Sequence, residues 1–216
     1  MKITLLVSDR CSWIMPYVNK LEKILKRVHK TKLVFDVAEI ENGDLLFLLS
    51  VNEIVSPNVL LLNKHNLVIH ESDLPNGRGW SPMTWQILEG KNEITVSLFE
   101  AKERVDSGPI YLQDRIILDG HELVDELRQK QGNVTIGLVM KYVESYPKII
   151  GKVQNGSPTY YPRRRPKDSE LDVNKPIKDQ FNLFRVVDNQ RYPAFFRYRN
   201  HKYVLTIDKE ESRNDK

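Results

Sequence analysis

The chain has 216 residues, of which 40% are hydrophobic and 29% charged, with a formal net charge of +4. This is the composition of a soluble chain long enough to bury a sizeable core, as one α/β domain or as a domain with an appendage. Cys11 is the only cysteine, which excludes a disulfide framework and a cysteine-based zinc site, and the mild charge argues against nucleic-acid binding over a whole surface.

The opening "MKITLLVSDRCSW" starts like a signal peptide but turns polar after a short apolar run, so Ile3 to Ser8 is predicted as a buried first strand. The longest apolar runs are far shorter than the roughly twenty residues needed to span a bilayer. No membrane association is expected, and a reducing, cytoplasmic setting is the simple expectation. Next, "WIMPYVNKLEKILKRVHK" carries Tyr17, Leu21, Ile24, Leu25 and Val28 at helical spacing, with Pro16 in the first turn. "KLVFDVAEI" and "DLLFLLS" read as strands around an "ENGD" turn, and "NLVIH" as another strand. "SPMTWQILEG" predicts a helix with Ser81 as its cap, Pro82 at its first position and Gly90 just past its end.

"ITVSLFEA" alternates like a strand, and "VDSGPIYLQDRIIL" reads as a loop and a further strand. From Asp119 to Ile150 the pattern fits one long amphipathic helix, or two broken at Gly132 or Gly137. Strands alternating with helices predict an α/β fold with a Rossmann-like, mostly parallel central sheet over residues 1–150. A small C-terminal extension follows over 151–208. It holds a turn-rich basic loop, a short helix in "IKDQFNLFRVVDN" and a β-hairpin turning at Arg199–Asn200–His201. Residues 209–216 read as a disordered tail.

No Gly-rich dinucleotide fingerprint follows the first strand, and no Walker motif, nucleophile elbow or metal-spaced histidine pair is present. No metal is expected. The informative stretch is "NLVIHESDLPNGRGWSPMTWQILEG" with "ERVDSGPIYLQ". His70 ends a predicted strand and Asp106 follows another, where ligands gather in open α/β sheets. Trp80 and Trp85 are candidates for pocket walls. A carboxylate that fixes an imidazole makes an acid–base unit. A histidine at a strand end is equally an ordinary satisfied polar residue, and "DSG" an ordinary turn. On the residues alone both readings stand.

The segment from Val68 to Gln113, about a quarter of the chain, resembles the core motif of the 10-formyltetrahydrofolate-dependent formyltransferases. That motif is a strand ending in Asn-x-His, a Leu-Pro-x-x-Arg-Gly loop, a Trp-containing helix and a later Val/Leu-Asp-x-Gly loop. His70, Leu74, Pro75, Arg78, Gly79, Trp85, Asp106 and Gly108 take the matching places. The resemblance implies that His70 polarises the formyl oxygen and shuttles protons while Asp106 orients it. It also implies a pterin site at Leu48, Leu49, Ser50, Val105 and Asp106, with 10-formyltetrahydrofolate as co-substrate.

One departure is evident. The family asparagine two residues before the histidine is replaced by Val68. Asn66 lies on the same strand face but one pleat back, roughly 6–7 Å farther along. Asn66 or Ser72 substitutes for it, the acceptor or co-substrate supplies the donor, or catalysis is weakened or lost.

The tail from Tyr160 to Phe196 is similar, more loosely, to that of sugar N-formyltransferases, through Pro166, Asp168, Asp172, Arg185, Pro193, Ala194 and Phe195. The expected acceptor is therefore the amine of a nucleotide-linked 4-amino-4,6-dideoxy sugar, in bacterial surface-polysaccharide or glycan synthesis. Arg10, Ser12, Trp13, Arg78, Tyr160 (or Tyr161) and Arg163 are its candidate contacts, against the alternative of solvent-exposed loop residues. The "RRRPK" run from Arg163 is likewise either a phosphate site or a solvated loop. The alternatives are another amine acceptor such as methionyl-tRNA, or a folate- or nucleotide-sugar-binding protein without catalysis. Phe195, Phe196, Tyr198 and Tyr203 alternate in the hairpin and are expected to build a small core or a homodimer face.

Overall fold

Apolar residues that alternate between two buried faces set the centre of the sheet. In strand β1 (Lys2–Leu6), Ile3 and Leu5 face one side and Leu6 the other, and all three are fully buried. A strand covered on both faces reads as a continuous apolar run, which is how this segment reads in sequence. The structure, a computed structural model, describes residues 1–210.

Helix α1 (Met15–Leu25) leads to β2 (Lys30–Val34), β3 (Gly43–Leu48), the short α2 (Pro57–Leu60) and β4 (Asn63–His70). The two-residue strand β5 (Arg78–Gly79), α3 (Pro82–Leu88), β6 (Glu93–Glu100), β7 (Ile110–Ile117) and α4 (Val124–Ser145) follow. The extension holds β8 (Tyr160–Tyr161), α5 (Phe181–Val186), β9 (Ala194–Tyr198) and β10 (His201–Leu205). The main sheet has six strands in the order β2-β1-β3-β4-β6-β7. Pairs β1–β2, β1–β3 and β3–β4 are parallel, while β4–β6 and β6–β7 are antiparallel. The result is the Rossmann-like, mostly parallel architecture expected, with a C-terminal hairpin. Strand order reverses direction at β1 and β3, so a crevice opens beyond their carboxyl ends.

One face packs Leu5, Phe47 and Leu67 against Leu21 of α1, Ile87 of α3 and Tyr142 of α4. The other packs Leu6, Leu46 and Leu48 with Val34 and Ile40. Helix α4 is a single helix through both glycines. At Gly132 an added Cβ would lie 2.6 Å from the Tyr17 ring, so the missing side chain lets α1 approach. No described helix is long and apolar enough to cross a membrane.

Several local expectations are corrected. Helix α1 ends at Leu25, and Val28 lies in the following turn with 78% of its surface exposed. "KLVFDVAEI" is not one strand. Asp36 accepts from the amide of Ala38 and caps a 3₁₀ turn over Val37–Glu39, a local bond that competes with strand pairing. Ser81 precedes α3 with φ of 48° and forms no side-chain capping bond. The hairpin turns on Arg199 and Asn200, both at positive φ as a tight two-residue turn requires, and His201 already belongs to β10.

In the hairpin Phe195 is buried and Phe196 stacks on Tyr203 at 5.1 Å, while Tyr198 stays exposed. Of the expected tail, Lys209 instead pairs with Glu126 at 2.7 Å, and 211–216 lie outside the described residues. The extension is tied to the rest of the chain by Arg185 of α5. This residue is 1% exposed and donates to Glu122 at 3.1 Å and to Asn92 at 2.9 Å.

Candidate active site

The chain reaches the crevice through three strand ends. Beyond β1 lie Ser12 and Trp13, beyond β3 lie Leu49 and Ser50, and β4 ends at His70 itself. His70 is buried, and its Nε2 lies 2.8 Å from the carbonyl oxygen of Gly77. A carbonyl can only accept, so Nε2 carries the hydrogen and the Nδ1 of the neutral ring keeps its lone pair. The carboxylate of Asp106 stands 3.8 Å from Nε2 and is itself engaged by the amide of Gly79 at 2.8 Å.

Asp106 arrives by a route the sequence pattern does not suggest. Because β6 runs antiparallel to β4, the end of β6 lies beside Leu67, near the middle of β4. The loop 101–109 must climb back about 10 Å, three residues of strand rise, to meet His70. Two features hold it there. Gly108 packs so tightly that an added Cβ would lie within 1.8 Å of the Glu100 carbonyl oxygen. Gln154 donates to the carbonyls of Asp106 and Gly108 at 2.9 and 2.8 Å.

The same Gln154 accepts from Arg78 at 2.7 Å. Arg78 is buried, and β5 pairs with β8, so the loop after His70 is clamped by the extension. Gln154 escaped the sequence reading because an isolated glutamine in a turn-rich segment carries no periodic or motif signal.

Two adjoining clefts open here, of about 330 Å³ and 370 Å³. The first brings together Leu48, Leu49, Ser50, Val105, Asp106 and His70, with Val68 also in its wall. The second gathers Ser12, Trp13 and Arg163 with Arg128, Arg164 and Arg191. Trp13, Ser50, Trp80, Glu71 and Gln131 line both. Glu71 and the α4 residues Gln131 and Thr135 were not singled out from sequence, where helix polar positions read as a solvated face.

Several sequence candidates lie outside both linings. Asn66 is buried and its side-chain amide donates to the carbonyl of Leu60 at 2.9 Å. Arg10 rests over the Phe35 ring at 3.9 Å. Arg78 faces Gln154, and the exposed Tyr160 meets Arg104 at 3.1 Å. Trp85 donates to the carbonyl of Pro162 and stacks on Tyr161, bracing the extension. Ser72 is buried, and among the described residues its hydroxyl has no hydrogen-bond partner.

The second cleft is polar, lined by Arg128, Arg163, Arg164 and Arg191 and by the carboxylates of Asp9, Glu71 and Asp188. Burial pushes the Asp188 carboxyl up, but the amides of Arg191 and Gln190 and the Arg128 guanidinium at 2.6 Å outweigh it and hold it below its usual range. Arg163 lies over the Trp80 ring at 4.8 Å, where an aromatic face and a cation are offered side by side. Among the described residues no set of three His, Cys, Asp or Glu side chains converges as a metal site.

A methionyl-tRNA formyltransferase of Thermodesulfovibrio yellowstonii is 28% identical over 147 residues, covering 67% of this chain and 48% of that protein. The chain thus spans about half the length of this curated relative. A methionyl-tRNA formyltransferase structure from Clostridium thermocellum superposes with a TM-score of 0.84 at 19% identity, covering 99% of this chain and 95% of that one. A sugar N-formyltransferase structure from Shewanella sp. does so with a TM-score of 0.73 at 13% identity, covering 99% of each. At these identities the two structures show a shared fold. The sequence profile described as "Formyl transferase" matches residues 14–141, a span that contains His70, Asp106 and the walls of the first cleft except Trp13. With well over half of its residues inside that match, the chain belongs to the formyl transferase family.

Proposed function

We propose that this chain transfers a formyl group from 10-formyltetrahydrofolate to the amine of a nucleotide-linked 4-amino-4,6-dideoxy sugar. The observation that carries the transfer is the state of His70. Its Nε2–H is spent on Gly77, its ring lines the first cleft, and a carboxylate only 10% exposed stands 3.8 Å away. Such a ring takes a proton at Nδ1 and, once protonated, donates it to charge developing on the formyl oxygen, with Asp106 stabilising the imidazolium.

The first cleft suits a pterin. Leu48, Leu49 and Val105 offer apolar walls, and the loop after β3 exposes backbone groups at Ser50, whose φ of 58° turns the chain. When bound, the folate supplies an activated formyl group. Residues 1–150 form the catalytic core in this reading. The extension over 151–208 contributes Gln154 as a clamp and Arg163 and Arg164 to the second cleft.

The sugar acceptor is favoured by that second cleft. Arginines suit a diphosphate, and Trp13 and Trp80 suit a base. The fold is shared with the Shewanella sugar N-formyltransferase and equally with the Clostridium methionyl-tRNA formyltransferase, so the cleft carries the choice. A second acceptor, methionyl-tRNA, is favoured by the curated relative at 28% identity.

The test incubates the protein with 10-formyltetrahydrofolate and a panel of nucleotide-linked 4-amino sugars, with mass spectrometry reading the gain of one formyl group. Formylation of a sugar is the expected result. Formylation of methionyl-tRNA alone would replace the acceptor. No transfer to either, with folate binding retained, would leave a binding protein in which Val68 has cost the reaction.

A further inference from the structure

The two clefts meet at an acidic side chain, that of Glu71, the residue following His70. Glu71 lines both. Its main chain is pinned by Gln86 of α3, which donates to the Glu71 carbonyl at 2.6 Å. Its carboxylate is held from one side, where Gln131 of α4 donates to Oε1 at 2.7 Å. Among the described residues, Oε2 has no hydrogen-bond partner and no lysine, arginine or histidine pairs with the carboxylate. The arginines of the second cleft are directed elsewhere: Arg128 is on Asp188, Arg191 on Asp9, Arg164 on Val186 and Ser169, and Arg163 lies over the Trp80 ring.

A carboxylate fixed in this way, next to the acid–base histidine and uncompensated in a partly enclosed site, attracts a cation that donates hydrogen bonds. We infer that Glu71 is the seat of the acceptor's amine, with Gln131 positioning its carboxylate. This inference rests on the reading that the second cleft takes a nucleotide-linked amino sugar.

The acceptor arrives as an ammonium, and Glu71 Oε2 takes one of its protons, freeing the nitrogen lone pair. A carbon–nitrogen bond then forms to the formyl carbon. The bond from that carbon to N10 of the folate breaks, N10 gains a proton, and the new amide nitrogen loses one. Each turnover yields the formamide, tetrahydrofolate and one net proton. His70 handles the proton traffic at the formyl oxygen and Glu71 that at the entering amine, so the two adjacent side chains serve opposite ends of the new bond. The same carboxylate gives a reason why an amine is chosen over a hydroxyl of identical shape. Only the ammonium gains a charge-assisted bond, and only it compensates the carboxylate.

The experiment measures equilibrium binding, without turnover, by isothermal titration calorimetry at neutral pH. The probes are dTDP- and UDP-linked 4-amino-4,6-dideoxyglucose, each paired with its 4-hydroxy counterpart. Wild type is expected to bind the amino compound of one pair roughly tenfold or more tightly than the hydroxy compound. Glu71→Gln should bring that ratio close to one by weakening the amino compound alone. A thermal melt like that of wild type would show that the variant is folded. If Glu71→Gln does not fold, Gln131→Leu takes its place, and a reduced ratio is expected there too. A ratio that survives the substitution overturns the assignment of Glu71. Failure of wild type to bind any of the four nucleotides overturns the sugar reading, and this inference with it.

Discussion

His70 and Asp106 approach to 3.8 Å without sharing a hydrogen bond, because the Gly77 carbonyl holds the imidazole and the Gly79 amide holds the carboxylate. Both holders sit in the loop Glu71–Gly79, so that loop sets the orientation of the two groups together. The pair interacts through charge, in surroundings where neither side chain is more than 10% exposed.

Asp106→Asn tests that charge alone, since an amide oxygen still accepts from Gly79. The expected outcome is a fall of about 10²- to 10⁴-fold in kcat with a melting temperature close to that of wild type. Steady-state rates and thermal melting check it. A loss smaller than threefold would remove the carboxylate from the mechanism. His70→Asn should lose at least as much.

Val68→Asn restores the family side chain on the face that leads to His70. Val68 borders the first cleft but also packs beside the apolar group around Leu46 and Leu48, so the amide is partly buried. A gain of about tenfold in kcat at unchanged KM for the folate is expected, with a stability cost of about 1–2 kcal/mol. Kinetics and urea unfolding measure the two effects. An unaltered kcat would mean that another donor already serves the formyl oxygen.

Gly108→Ala places a methyl group against fixed backbone, the carbonyl of Glu100, with no flexible side chain to yield. The loop must shift, at a cost of about 1–3 kcal/mol in urea unfolding. Asp106 lies two residues away, so kcat should fall as well. A variant with both stability and rate intact would show that this close approach is not needed to place the carboxylate.

Glu122→Gln probes the tie between the extension and the sheet. Burial raises the Glu122 carboxyl, but Lys130 at 2.7 Å and the amides of Asp119 and Gly120 outweigh it and hold it well below its ordinary value of 4.5. A depressed folded value means stability that is fully present above pH 4.5 and lost as pH falls through that range toward the folded value. The substitution also strands the buried Arg185, so a loss of about 3–5 kcal/mol is expected at neutral pH. The difference from wild type should narrow below pH 4.5, measured by denaturant unfolding across pH. A gap independent of pH would assign the loss to packing.

Local chemistry made much of this molecule legible. Leu5, Leu6, Leu46 and Phe47 mark strands buried on both faces, and Leu21 and Leu25 mark the inner side of α1. His70 and Asp106 stand in motifs that survive reading as a string. The direction of β6 was not legible, because side chains alternate with a period of two whichever way a strand runs. That direction decides the course of loop 101–109, and so how Asp106 reaches His70. Nor could the string show that Gln154 clamps this loop across 46 to 48 positions, or that Asn66 turns to Leu60. Glu71 and Gln131 lie 60 positions apart, and only the packing of α4 beside the end of β4 joins them at the meeting of the clefts. Periodicity belongs to neighbours in the chain. A site belongs to neighbours in space, and long-range burial alone chooses those.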